Sequence, residues 1–292
     1  MKLLKITAEG LPLFKKKLDL TFYAQQRITE EQKEELYPLF SNVYLNPATG
    51  FIGINASGKT SVLKVILLIL GIINNEPINH IDSRDILGDA DKATLNAYFY
   101  TEKNRKICRL QTIIKSVKSK TEGIIYHITS ESFWAKEERE VVTRKGMLNF
   151  DGKEPVMVRS IREDFLSDDV SIMIAVNKKN GDHVSVVDLL KYTNVNVISF
   201  SEEIPAEVIT YLDPTIESLK FDEKNKKNLI RLKFFDKDEI TLSDPKELGN
   251  YLSSGTIKGM VTFSLAQEIL QFGGNLVVDE VEKYFNKEIV TT

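Results

Sequence analysis

The sequence predicts an α/β fold: a mixed sheet carrying a glycine-rich turn, with an antiparallel β lobe and a helical lobe attached. Three observations carry this. The run Gly53 to Thr60 stands between extended text and a strongly apolar helical stretch. Residues 93–128 read as strands, with Tyr98, Tyr100, Ile107, Leu110, Ile113, Ile125, Tyr126 and Ile128 as apolar positions. Near the other end, the apolar run Asn275 to Val278 leads into Asp279-Glu280.

At 292 residues the chain has ample length for a core, and its 42% hydrophobic and 28% charged fractions are those of an ordinary globular protein. With 39 Lys+Arg against 42 Asp+Glu, the net charge of -3 argues neither for nor against nucleic acid, so such contact would need a local patch. One cysteine forms no internal disulfide, and three histidines make no metal-ligand cluster with it. Cys108 stands in strand-like text and is expected as a small buried hydrophobe. The longest apolar run, Val65 to Ile73, is about half of what a bilayer span needs, and the chain reads as a soluble cytoplasmic protein.

The elements follow in order. Leu3 to Ala8 and Lys17 to Tyr23 alternate as a strand pair around Gly10 and Pro12. Thr29-Glu30-Glu31-Gln32 forms a capping box, and the helix it starts should stop before Pro38. Leu39 to Ile54 leads as a strand into the glycine-rich turn, and a helix covers roughly Lys59 to Ile73. Residues 131–160 read as polar and irregular, with Glu137 to Glu140 as a solvated face. Residues 161–212 read as mostly helical with a strand near Val195 to Ser199. Three short runs, Ile216–Phe221, Leu229–Phe235 and Glu239–Leu242, suggest an antiparallel meander. A helix from about Thr256 to Gln271, the Gly273-Gly274 break and the strand from Asn275 close the series.

The run Gly53-Ile54-Asn55-Ala56-Ser57-Gly58-Lys59-Thr60 fits G-x-x-x-x-G-K-[ST] at every fixed position. The glycines let the backbone turn its N–H groups inward on phosphate oxygens, while Lys59 adds a charge near the β- and γ-phosphates. The Thr60 hydroxyl would ligate Mg²⁺. This predicts binding of a nucleoside triphosphate. Asp279 can hold Mg²⁺ through water, and Glu280 can polarise the attacking water. The turn Leu252-Ser253-Ser254-Gly255-Thr256 opens a helix with hydroxyls and amides, in physical terms a second anion site.

In that order, these three motifs resemble the ATP-binding-cassette class of ATPases. The Gly-x-Asn-x-Ser-Gly-Lys-Thr form is similar to the RecF, SMC and OLD (overcoming-lysogenization-defect) branch. The stretches Leu-Ser-Ser-Gly-Thr-Ile-Lys-Gly and Asp-Glu-Val-Glu-Lys-Tyr-Phe-Asn-Lys-Glu resemble bacterial AAA-domain ATPases, many from phage-defence and toxin-associated systems. The resemblance implies a P-loop NTPase of ABC-ATPase type with a helical signature lobe. Its single composite domain would comprise a Walker A lobe (1–90), a β-rich and helical insertion (91–245), and the signature and Walker B motifs (246–292).

It further implies ATP and Mg²⁺ held by Gly53, Ile54, Asn55, Ala56, Ser57, Gly58, Lys59, Thr60 and Ser61, with Thr60 and Asp279 at the metal and Glu280 as catalytic base. Ser253, Ser254, Gly255 and Thr256 would complete the ATP site of a second subunit in a homodimer. Gln111 lies in the general region of the class's glutamine loop without aligning to it. The class continues past the Asp-Glu strand with a further strand and a switch histidine. Only 12 residues follow Glu280, so the resemblance implies the N-terminal portion of a longer protein.

The implied activity is an ATPase switching a partner or a DNA complex, in phage defence or DNA repair. Two alternatives are a nucleotide-gated scaffold for a nuclease or toxin effector, and the ATPase part of an OLD-type nuclease. Lys103, Arg105, Lys106, Arg109, Lys115, Lys118 and Lys120 form a locally basic stretch, either a nucleic-acid contact or a solvated hairpin. Phe133 and Trp134 are expected to pack rather than stack on bases.

Overall fold

The computed structural model describes residues 1–119, 121, 123–159, 166–181, 183–190, 205–224 and 227–281. The chain divides into two compact units, Met1–Val184 and Ser185–Thr292. The division falls inside the segment that the sequence reading treats as an insertion.

In the first unit, β1 (Lys2–Glu9) and β2 (Leu18–Thr21) form the expected pair. The capping box starts α1 (Glu30–Glu35): the Thr29 hydroxyl accepts from the Gln32 amide at 3.4 Å, and the Gln32 side chain accepts from the Thr29 amide at 3.1 Å. Pro38 then lies in β3 (Tyr37–Phe40), which pairs only with β4 (Val43–Leu45). Here the structure corrects the sequence reading. β4 ends at Leu45, and residues 46–58 contain no strand, so the phosphate loop is reached through coil rather than directly from a strand.

The helix α2 (Lys59–Ile73) matches its expected bounds, and every residue from Val65 to Ile73 is buried. A helix apolar on all sides is a core helix, and each such side chain contributes about 1.5–3 kcal/mol by leaving water. At Gly71 an added Cβ would come within 2.8 Å of the Ile81 side chain, so glycine lets the following 3₁₀ segments lie close against α2.

The main sheet is antiparallel throughout, in the order β2-β1-β5-β6-β7-β8, where β5 is Ala93–Thr101, β6 Lys106–Ser119, β7 Gly123–Glu137 and β8 Met157–Val158. Ile69 and Ile72 of α2 face Leu95, Ala97, Leu110 and Thr112 of this sheet across a cavity of about 10 Å³. A second cluster joins Leu4, Tyr100 and Ile107 to Phe40 and Val43 of the β3–β4 hairpin and to Met147 and Phe150. Cys108 is buried in β6 as expected.

Residues 131–137 belong to β7, not to an irregular segment. Their polarity hid them because two of the charges are buried with partners distant in sequence. The Glu131 carboxylate accepts from the Thr112 hydroxyl (2.7 Å), the Ser171 hydroxyl (2.8 Å) and the Ile172 amide (2.7 Å). Lys136 donates to the carbonyls of Gly146 (3.0 Å) and Asn149 (2.7 Å). Nor is Glu138 simply solvated, since its carboxylate binds Tyr100 and Arg105. The unit's last helix is α3 (Met173–Asn180).

In the second unit, β9 (Val186–Asp188) pairs in parallel with β13 (Asn275–Val277), the one parallel pairing among the described residues. The meander appears as β10 (Ile216–Lys224), β11 (Lys227–Phe234) and β12 (Ile240–Leu242). Helices α4 (Ala206–Leu212) and α5 (Ser254–Phe272) pack on it through Ile209, Ile257, Met260, Val261 and Leu265. The strand expected near Val195 to Ser199 lies outside the described residues. Among the described residues no helix is long and apolar enough to cross a membrane.

Candidate functional site: the phosphate loop and its helix

Gly53 to Gly58 turn onto the start of α2. The Ser57 amide donates to the Ile54 carbonyl at 3.2 Å, closing the turn. Ala56 (φ +62°) and Gly58 (φ +91°) adopt left-handed backbone, while Ser57 between them does not. Alternation of this kind points successive N–H groups into one concavity, which favours anions. At Gly53 an added Cβ would lie 2.6 Å from the Ser57 hydroxyl, so that side chain would have to shift.

Gly58 is the N-cap of α2, and no side chain caps that terminus. Helix N-terminal amides normally need a partner, and a glycine at the N-cap has no side chain to supply one. Lys59 reaches back over the loop, its Nζ donating to the carbonyls of Gly53 (2.8 Å) and Ile54 (3.2 Å). Ile52 and Ile54, on either side of Gly53, are exposed at 100% and 84%.

The remaining motif residues lie in the second unit. Ser253 caps α5: its Oγ accepts from the Thr256 amide at 3.0 Å and lies 2.8 Å from the Thr256 hydroxyl. Thr256 is buried, whereas Ser253 and Ser254 are exposed. The helix begins two residues before the expected Thr256. Gly274 explains the break before β13, since a Cβ there would meet the Ser185 carbonyl oxygen at 2.9 Å. Asp279 and Glu280 follow the end of β13. The Asp279 carboxylate accepts from the Glu280 amide at 2.9 Å, and Glu280 is exposed with φ +55°.

Gln111 lies inside β6 rather than in a loop, and its amide donates to Asn96 Oδ1 at 3.1 Å. Much of the basic stretch is bonded within the unit. Arg105 pairs with Glu138 (2.7 Å), Lys106 with Glu137 (3.3 Å), and Lys103 donates to the Asn180 carbonyl (2.9 Å). Arg109 bonds Asn96 (2.9 Å) and lies 4.7 Å from the Trp134 ring centroid. Phe133 stacks on Phe99, so both aromatics pack as expected. Lys115 and Lys118 are exposed, and Lys120 lies outside the described residues.

Sequence reasoning missed Arg144. It donates to three successive carbonyls, Ala24 (2.9 Å), Gln25 (2.6 Å) and Gln26 (2.7 Å). No local signal reveals it, because its partners lie about 120 residues earlier in the chain.

No protein family and no curated protein matches the chain's sequence. Among solved structures it is similar to an SMC head domain from Thermotoga maritima at 13% identity and a TM-score of 0.42, over 99% of this chain and 81% of that one.

Proposed function

We propose that this protein is an ATPase that binds ATP and Mg²⁺ on the loop Gly53–Ser61 and works as an ATP-sandwiched homodimer to switch a partner or a DNA complex. The observation that carries the reading is Lys59 folded back on the Gly53 and Ile54 carbonyls above a helix start that no side chain caps. A lysine held on neutral carbonyls gains by exchanging them for phosphate oxygens. The residues present therefore fit the ligand.

Gly53 to Gly58 hold the triphosphate by backbone N–H groups, Lys59 neutralises its terminal oxygens, and Ser61 borders them. Thr60 and Asp279 are the residues that would hold Mg²⁺, which when bound offsets charge on the β- and γ-oxygens. Glu280 accepts the proton of the attacking water; its exposure and the sharp turn at its backbone leave the carboxylate accessible. Ser253, Ser254, Gly255 and Thr256 serve the ATP of the other subunit. The exposed side chains of Ile52 and Ile54 support a covering partner at the loop.

Light scattering of Glu280→Gln with and without ATP and Mg²⁺ tests this, repeated in Lys59→Ala. Dimers that form only with ATP and vanish in Lys59→Ala are the expected result. A monomer under every condition with ATP still bound would refute the dimer, and loss of nothing in Lys59→Ala would refute the loop.

A further inference from the structure

One end of the main sheet gathers cations and apolar side chains that lie far apart in the sequence. β1 ends at Glu9 opposite Thr94, near the start of β5, and Ala93 pairs with Ile114 of β6. From Lys115 to Ser119, about 16 Å of extended chain, β6 pairs with β7 alone. The loop 10–17, the loop 88–92 and the projecting β6–β7 hairpin therefore lie at the same end. With strands about 4.8 Å apart in the order β2-β1-β5-β6-β7, that end is about 19 Å wide. The three pieces are fastened together. Ser116 donates from its amide (3.1 Å) and its hydroxyl (2.9 Å) to the Ala90 carbonyl, and the Tyr126 hydroxyl donates to the Gly88 carbonyl at 3.1 Å. Gly10, at φ +77°, passes so close to the next loop that a Cβ would stand 2.1 Å from the Lys92 carbonyl oxygen.

The surface so formed has a definite chemistry. Leu11 is buried and the Phe14 amide donates to its carbonyl at 3.0 Å, a turn that leaves Leu13 pointing outward at 69% exposure. Val117 and Ile124 are exposed on the hairpin. Lys15, Lys16, Lys92, Lys115 and Lys118 are exposed, and no hydrogen bond or ion pair ties them to another described residue. Lys17 and Lys5, by contrast, are held by Glu9 and Asp19, each at 2.8 Å. Asp89 and Asp91 are exposed carboxylates of the same end and leave the lysines in excess. Aliphatic tips among lysines, on projecting loops rather than in a groove, complement a flat anionic layer over an apolar interior. A nucleic acid would leave Leu13, Val117 and Ile124 without a role. None of these unpaired cations is an arginine, whose fork fits phosphates and base edges.

We propose that this end of the first unit docks on a bilayer surface carrying anionic lipid headgroups. The lysines sit over the headgroup charges, and Leu13, Val117 and Ile124 enter the boundary beneath them. The inference does not depend on the phosphate-loop reading.

Co-sedimentation of the full chain with vesicles tests this, using phosphatidylcholine alone and phosphatidylcholine mixed with phosphatidylserine. The chain is expected to pellet with the mixed vesicles and not with the neutral ones. Lys115→Gln combined with Lys118→Gln should weaken partitioning about twentyfold, at roughly fivefold for each lysine. Leu13→Ser should weaken it about tenfold at unchanged charge, and Ile124→Ser repeats the apolar test on the hairpin. Lys178→Gln with Lys179→Gln removes the same charge from α3, whose Asn180 carbonyl accepts from Lys103 at the opposite end of the sheet, and should change nothing. No pelleting of the unmodified chain, equal pelleting with neutral vesicles, or equal loss in both lysine pairs overturns the proposal. Fluorescence anisotropy with a labelled DNA duplex tests the other polyanion. Duplex binding that is lost in the Lys115 and Lys118 variant, with vesicle partitioning unmoved by Leu13→Ser and Ile124→Ser, assigns the surface to nucleic acid and overturns the lipid.

Discussion

The helices α2 and α5 both start at a turn of small residues, yet they treat their N-terminal amides in opposite ways. Gly58 begins α2 with no side-chain cap, whereas Ser253 caps α5 and bonds both the amide and the hydroxyl of Thr256. A third case stands between them. At the start of α3 the protein's own carboxylate, Glu131, accepts from the Ile172 amide, and Ser171 accepts from the Met173 amide at 3.1 Å. One terminus has no side-chain cap, one is closed by hydroxyls, and one is filled by an internal anion. The difference shows that a helix N-terminus is not by itself a ligand site; what matters is whether the fold has already used its donors.

The largest effect expected from this contrast is at the uncapped terminus. Lys59→Ala should cost about 2–5 kcal/mol of ATP binding, as loss of one member of a charge-assisted contact does, with the melting temperature of the ligand-free protein nearly unchanged. Calorimetric titration measures the first and thermal denaturation the second. A large drop in ligand-free stability would mean that Lys59 is structural, and the reading of this terminus as a phosphate site would fail.

At the filled terminus the expected effect is on stability. Glu131→Gln places an NH₂ group where the carboxylate accepts from a backbone amide or a hydroxyl, a loss of about 1–3 kcal/mol. Burial pushes the Glu131 carboxyl above its usual range, against the pull of its three donors. A carboxyl raised in the folded state binds its proton more tightly there than when unfolded. The wild-type protein therefore loses stability as pH rises from the ordinary carboxylate range through the raised value. The variant lacks that slope, so its deficit should shrink across the same window. Urea denaturation at several pH values checks this, and a deficit independent of pH would show that burial does not govern Glu131.

Gly58→Ala should have a slightly smaller effect. Nothing lies within 4 Å of an added Cβ, so the cost is purely that of a left-handed backbone, about 1–2 kcal/mol. Because that conformation shapes the loop, the same variant should weaken ATP while leaving the fold intact by circular dichroism.

Much of this was legible in sequence, for identifiable reasons. The capping box at Thr29, the bounds of α2 and the meander 216–242 depend on contacts only a few residues apart, which local patterns encode. The glycine spacing of the loop is similarly local. What escaped depends on distant partners. Glu131 and Lys136 read as loop charges because Thr112, Ser171, Gly146 and Asn149 are invisible from positions 131–136. Arg144 escaped for the same reason. The stretch Leu39 to Ile54 reads as a strand leading to the turn, but residues 46–54 are coil, because apolar content alone does not tell a strand from exposed coil.

The smallest effect expected is at the closed terminus, where it discriminates most sharply. Ser253→Ala removes the cap of α5 and should lower stability by about 1 kcal/mol. Ser254→Ala removes an exposed hydroxyl at the first helical position and should cost less than about 0.5 kcal/mol. Their effects on ATP-dependent dimerisation should run the other way. Ser253 is engaged with Thr256, so Ser254 is the hydroxyl more readily offered to a second subunit. Chemical denaturation and light scattering on the two variants give the four values needed. If Ser253→Ala leaves stability intact and Ser254→Ala leaves dimers intact, the turn is neither a closed cap nor a site in trans, and the contrast with α2 fails.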